Sequence, residues 1–457
     1  MHERTRLVLA RLLFVLCCAL PTSLTVTWIA ATHTPWYEKR ITDYLQDQIQ
    51  RDTGLHLAFT EFDNPAPNRW VLSNVHLTDP ETSQLMGKIR EIHWAIQSNE
   101  TTVLLEQPEI NASHIAIVLE SLHDHILCRP RKTEQPITLF ANDLTIHSGS
   151  HAVTLSDVDA RIANKQRSTL LSIELQVADA DPNSPMMLQV QRIRQEKNEQ
   201  RTMRSKTVMS LNTNGTALPC SAFADFWPAL GSLGRRANFS GSLKWEVQEG
   251  TWAVDLGGSR FNQIELDQLF ENQAHRLSGT ASITFDRGLV SPDQRITDLS
   301  GVFLAEQGLI SKTLLSQASQ NLNLRLLKTE PWTRFTGDLP YDLFAIGFDI
   351  NGTQLKLDGI CHHEQSHKNY PSGIALLLNG YPLAHCTGDP VESVRLLATL
   401  APAHSVPVPL SQQTNWLTSI LVPPSRPMPV EQNEPPRIRS ARLWQGGPVI
   451  EQPNRGQ

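Results

Sequence analysis

Apolar positions along the chain follow three successive rhythms. Residues 12–31, LLFVLCCALPTSLTVTWIAA, form an uncharged apolar run. At the helical rise, a run of about 20 residues matches the hydrocarbon core of a bilayer. Ile41, Tyr44, Leu45 and Ile49 then recur at helical spacing, and Gly54 sits where a C-cap is needed. From Leu55 onward the period drops to two. LHLAFTEF alternates at Leu55, Leu57 and Phe59, and a strand is predicted over Trp70–Leu77, ended by Asp79-Pro80. Further strands are predicted at 138–139, 144–147, 153–155, 171–177, 187–193 and 207–211, with Asp, Asn, Gly or Pro between them. That rhythm is the mark of an antiparallel sheet. The second half continues with NFSGSLKWEV, TWAVDLGGSRF, LSGTASITF and LKLDGI as strands. Helices are predicted over 261–272, 309–327 and 389–402, the middle one covering a sheet face.

The pattern predicts a mainly β chain: an N-terminal transmembrane helix, then a long twisted antiparallel sheet, groove or sandwich, with a few covering helices. Four regions follow: a cytoplasmic stub and anchor at 1–38, β-rich regions at 39–215 and 216–402, and a Pro-rich tail at 403–457 expected to be disordered. Arg4, Arg6 and Arg11 precede the apolar run, and Trp36-Tyr37 follow it. Basic residues before the span predict an N-terminus inside, so the bulk of the chain lies beyond the membrane. A cleaved signal peptide is the competing reading, but the run is long for a signal core, and no A-x-A site follows it.

Composition narrows the function classes. The chain has 457 residues, 40% hydrophobic and 19% charged, with net charge −6. No basic excess exists to neutralise a phosphate backbone, which argues against a nucleic-acid partner. The charge run 191–206, QRIRQEKNEQRTMRSK, reads as a solvated hairpin tip, or else as a site for acidic lipid or a partner. Cys128, Cys220, Cys361 and Cys386 lie outside the apolar run, with no C-x-x-C pair. They fit one or two disulfides, with Cys361–Cys386 the best candidate, or equally four free thiols. Asn99, Asn111, Asn214, Asn238 and Asn351 open N-x-[ST] sequons, read here as polar turns.

One string points to chemistry. His363-Glu364-Gln365-Ser366-His367 matches the zinc-hydrolase pattern H-E-x-x-H. That pattern works only on a helix that stacks both His on one face with the Glu as base. Between Gly359 and Pro371 only Ile360 and Cys361 are apolar, so no stripe exists to hold a helix. Strand patterns flank the segment, so a polar loop is predicted, in which the two His are splayed apart. Neither Glu392 nor His385 is fixed as a third ligand, and His362, His363, His367 and His385 could bind metal only adventitiously. No P-loop, nucleophile elbow or dinucleotide fingerprint is present. No catalytic, cofactor-binding or metal residue is therefore predicted.

Thr53-Gly54 closing a post-anchor helix, followed by PAPNRWVLSNVHLTDPET, resembles the start of the AsmA-like proteins of double-membraned bacteria. HRLSGTASITFDRGLVS and RFTGDLPYDLFAIGFDINGTQLKLDG, with Asn351-Gly352 between strands, are similar to that family's C-terminal region. The resemblance implies a single-pass inner-membrane protein with its bulk in the periplasm. It further implies a non-enzymatic role in envelope biogenesis: carrying phospholipid in an apolar β-groove, or supporting outer-membrane assembly with other envelope proteins. The alternatives are a partner-binding envelope domain with a filled core and, behind it, a zinc hydrolase built on 363–367.

Overall fold

The computed structural model describes residues 13–400, apart from 33–34, 80–81, 98, 130–134, 166–167, 178–183, 197–202, 249–250, 272–274, 292–295, 328–331, 333 and 362–370. The apolar N-terminal run is helical: a π-turn at Val15–Ala19 leads into the helix Leu20–Thr32. Leu13, Phe14, Leu16, Leu24 and Val26 stand 58–64% exposed. Among the described residues no helix is long and apolar enough to cross a membrane; the π-turn divides the run the sequence predicted as one span.

The helix Pro35–Thr53 follows and ends where the spacing placed it. Gly54 takes φ +74° and its N–H donates to Gln50 O at 2.8 Å. Leu45 and Ile49 pack on a cluster formed by Phe59, Leu72, Val75 and Ile92.

Among the described residues the strands form one sheet of 24. In its first half the strands are β1 (His56–Ala58), β2 (Glu61–Ala66), β3 (Arg69–Thr78), β4 (Leu85–Ile96), β5 (Thr101–Glu106), β6 (Glu109–Asn111), β7 (Ile137–Ser148), β8 (His151–Lys165), β9 (Ser168–Val177), β10 (Met186–Glu196) and β11 (Met203–Asn212). From β7 to β11 each strand pairs antiparallel with the next in sequence. The exception comes just before. β5 and β6 run parallel to β7. The helix Ile115–Leu122 and a π-turn at His123–Leu127 lie in the connection between them. A parallel pair requires a crossover of about a dozen residues, which this segment supplies. The sheet is therefore mixed rather than purely antiparallel, and the sequence reading missed this helix.

The second half contains β12 (Leu218–Pro219), β13 (Asn238–Ser240), β14 (Ser242–Gln248), β15 (Thr251–Asp255), β16 (Arg260–Glu265), β17 (Thr280–Ser291), β18 (Ile296–Ile310), β19 (Leu324–Leu326), β20 (Leu339–Asn351), β21 (Gln354–Gly359), β22 (Ile374–Leu378), β23 (Tyr381–Cys386) and β24 (Val391–Glu392). β11 pairs with β14 through seven registered positions, so both halves share one hydrogen-bonded sheet. The segment predicted helical at 261–272 begins instead as strand, through Glu265, and has only one helical turn at Leu266–Leu269. Its apolar residues have sheet partners, Phe261 facing both Phe239 and Ile283, and those contacts override helical spacing. Likewise 309–327 yields the helix Lys312–Asn321 between the end of β18 and β19. Ser311 caps it, its Oγ accepting from Leu314 N–H at 3.3 Å. Leu314 and Leu315 bury into the largest cluster, with Leu266, Ile310, Leu339, Tyr341 and Leu383. The last helix, Val394–Leu400, packs beside it, with Leu396 and Leu397 on a smaller cluster.

Candidate functional site: an apolar sheet face with a cationic border

Side chains on one face of a sheet line up through the paired positions of neighbouring strands. One such row runs Ile137, Ile162, Leu171, Val190, Met209, Trp245, Val254, Val290, across β7, β8, β9, β10, β11, β14, β15 and β17. The adjacent row runs Trp70, Trp94, Val103, Leu139, Ala160, Ile173, Leu188, Leu211, Leu243. Every member of both rows is apolar. On the opposite face the row Thr138, Arg161, Ser172, Gln189, Ser210, Lys244, Asp255 is polar throughout. One face is thus built for water and the other for hydrocarbon.

The apolar face is incompletely covered. Leu127 of the π-turn packs on Ala160, Leu171 and Val190, which are buried. Ile162, Ile173, Leu188, Met209, Leu211, Leu243, Trp245 and Val254 remain half-buried. Farther along, Phe239, Phe261, Phe285 and Phe348 continue the face as tilted and edge-on rings with centroids 5.2–6.5 Å apart.

The next row outward on the same face changes character: Thr169, Arg192, Thr207. Beyond it stand Arg194 and Ser205, also paired. His123 of the π-turn reaches down to this border. Its Nε2 lies 3.0 Å from Thr207 Oγ1 and 2.9 Å from Arg192 Nη1. Its Nδ1 lies 2.9 Å from Asp124 Oδ1. Arg192 also donates to Thr207 Oγ1 and Ser205 Oγ at 3.0 and 2.8 Å. Arg194 Nη2 donates to Leu127 O at 3.3 Å and Thr169 Oγ1 at 3.5 Å. Burial disfavours the charged imidazole of His123, but the hydrogen bond to Asp124 and the adjacent Cys128 outweigh it, and the pKa stands at about 9.

Among the described residues, two groups of side chains come close enough to share a metal ion. His123, Asp124 and Cys128 form the first, but Arg192 set against the ring gives that spot the wrong sign for a cation. Glu91, His93 and Glu106 form the second. Glu91 and Glu106 face each other directly across β4 and β5, a repulsive arrangement. His93 Nε2 stands 3.2 and 3.3 Å from the two carboxylates, and Arg90 is 2.5 Å from Glu106 Oε2. Arg90 already answers Glu106, and the His93 ring sits against both carboxylates.

The H-E-x-x-H string lies outside the described residues. Its frame does not: β21 and β22 flank it, both paired to β20, and Cys361 N donates to Ile374 O at 2.9 Å. His385 sits on β23, and Glu392 on β24. The expected Cys361–Cys386 bridge is absent: all six cysteines are free. Burial pushes the Cys220, Cys361 and Cys386 thiols up to about 12, 11 and 12. Cys361 packs with Ala345, Ile374 and Leu377, whereas Cys386 belongs to the cluster of Leu315 and Leu383. The sequence reading did not single out His123, Arg192 or Arg194; the alternation of Arg192 and Arg194 within the charge run was the available sign.

No protein family matches the sequence, and no curated protein or solved structure is significantly similar to it. The resemblance to AsmA-like proteins rests on the two sequence patches alone.

Proposed function

We propose that this chain is a non-enzymatic, membrane-anchored envelope protein whose apolar sheet face shields the acyl chains of phospholipid. The observation that carries this reading is the pair of unbroken apolar rows, half-buried over β8 to β15 except where Leu127 covers Ala160, Leu171 and Val190. Each methylene moved from water onto such a face is worth about 0.8 kcal/mol, so passive shielding needs neither metal nor nucleotide. The apolar helical run, exposed over 13–27, supports an anchor in the inner membrane, with the N-terminus inside and the sheet in the periplasm. In that setting the protein hands lipid onward or supports outer-membrane assembly beside other envelope proteins.

A second reading has one specific observation behind it. The cluster under the helices Lys312–Asn321 and Val394–Leu400 is filled, as in a domain that only docks partners. The full chain, purified from membranes and released from detergent in a native mass spectrometer, separates the two. Near-stoichiometric phospholipid, lost in Leu188→Asp and Leu211→Asp, is the expected result. A lipid-free chain would leave the docking reading, and one tightly held zinc would instead point back to 363–367.

A further inference from the structure

Along β10 the side chains on the apolar face read Met186, Leu188, Val190, Arg192, Arg194, and along β11 they read Leu211, Met209, Thr207, Ser205. Both strands therefore pass from hydrocarbon to cation and hydroxyl in the same direction. The change falls at one registered row, Thr169–Arg192–Thr207. Such a face is amphipathic along its length, and a single amphipathic ligand has that profile.

Among the described residues, neither Arg192 nor Arg194 forms an ion pair; their hydrogen bonds go to hydroxyls and a carbonyl, and Arg192 Nη1 stands 2.9 Å from the His123 ring. Asp124, the carboxylate on the π-turn, is engaged by His123. Two guanidiniums and an imidazole share a part-buried spot beneath the π-turn. Such crowding is costly unless an anion answers it. Arg194 has donors to spare, since both its described bonds leave from Nη2. Forked guanidiniums are the groups that hold phosphate oxygens in pairs.

Resting on the lipid-shielding reading above, we propose that Arg192, Arg194 and His123, with the hydroxyls of Thr207, Ser205 and Thr169, form the seat for the phosphate of a phospholipid whose acyl chains lie on the rows of Val190 and Leu188. The headgroup is then fixed on β10 and β11 at the row of Arg192 and Thr207, and the tails run toward β14 and β15. This seat selects a phosphate-bearing lipid over a neutral one of equal tail length.

The full-length chain in detergent is titrated calorimetrically with three probes: dihexanoyl-phosphatidylglycerol, dihexanoylglycerol and inorganic phosphate. The phospholipid is expected to bind at least about tenfold more tightly than the diglyceride, as one or two charge-assisted hydrogen bonds allow. In Arg192→Gln/Arg194→Gln that advantage disappears while diglyceride binding stays. Arg192→Lys/Arg194→Lys, which keeps charge without the fork, restores part of it, and an unchanged circular dichroism spectrum shows that both variants fold. Equal binding of the two lipids by the wild type would overturn the seat and spare the shielding reading. Phosphate bound as tightly as the phospholipid, with the diglyceride unbound, would mean a site for free phosphate and would also overturn it. Binding of none of the three would sink both proposals.

Discussion

Gly54 illustrates what a single residue decides. An added Cβ there would lie 2.4–2.5 Å from the His125 ring and Ser121 Oγ, on a backbone at φ +74°. Ser121 Oγ in turn donates to Thr53 O at 2.6 Å, so the crossover caps the end of the post-anchor helix. Gly54→Ala combines left-handed strain with this clash, and thermal unfolding should register a loss of about 2 kcal/mol or more. His123 gives the pH prediction. Its folded pKa of about 9 lies above the unfolded value near 6.5, so the charged form is the one folding favours. The stabilisation is complete below pH about 6.5 and fades as the pH rises through about 9. Urea midpoints from pH 6.5 to 9.5 should fall more steeply in the wild type than in His123→Gln. Gly54 could be placed from sequence because a helix end announces itself locally. His123 could not, because its partners lie 69 and 84 residues away.

At the scale of elements, period-two alternation located most strands, since each has one wet and one apolar face. It failed at 261–272, where isolated apolar positions fit helical spacing while sheet partners fixed the outcome. It also passed over Ile115–Leu122, a mostly apolar stretch of only eight residues, too short to show a repeat. The border row at Arg192 was written into the charge run 191–206, but which face its arginines take depends on register with β9 and β11. For the helix Lys312–Asn321, Leu315 is 1% exposed and Leu315→Ala should cost about 2–5 kcal/mol, read as a denaturant midpoint. Ser311→Ala removes the cap and the bond from the Thr313 hydroxyl and should cost about 1 kcal/mol.

The molecule as a whole is tied together at β11–β14, where residues 206–212 pair with 242–248. The sequence reading expected one long sheet, but rhythm could not say which strands would form the seam. Continuity predicts shared protection: amides on both strands should exchange slowly and at similar rates. Leu211→Pro deletes one donor from that ladder, so exchange should quicken on β10 and β14 alike. Acceleration on one side alone would mean that the halves open independently.

The rung joining Cys361 to Ile374 has a practical corollary. Whatever lies between those residues starts and finishes on the same hydrogen bond, and Cys386 N holds Gly373 O beside it at 2.8 Å. Lengthening a segment that is already closed adds only about 0.6 kcal/mol of closure entropy per doubling. An epitope inserted between Cys361 and Ile374 should therefore leave the pairing of β21 and β22 with β20 in place, which amide exchange on those strands would report.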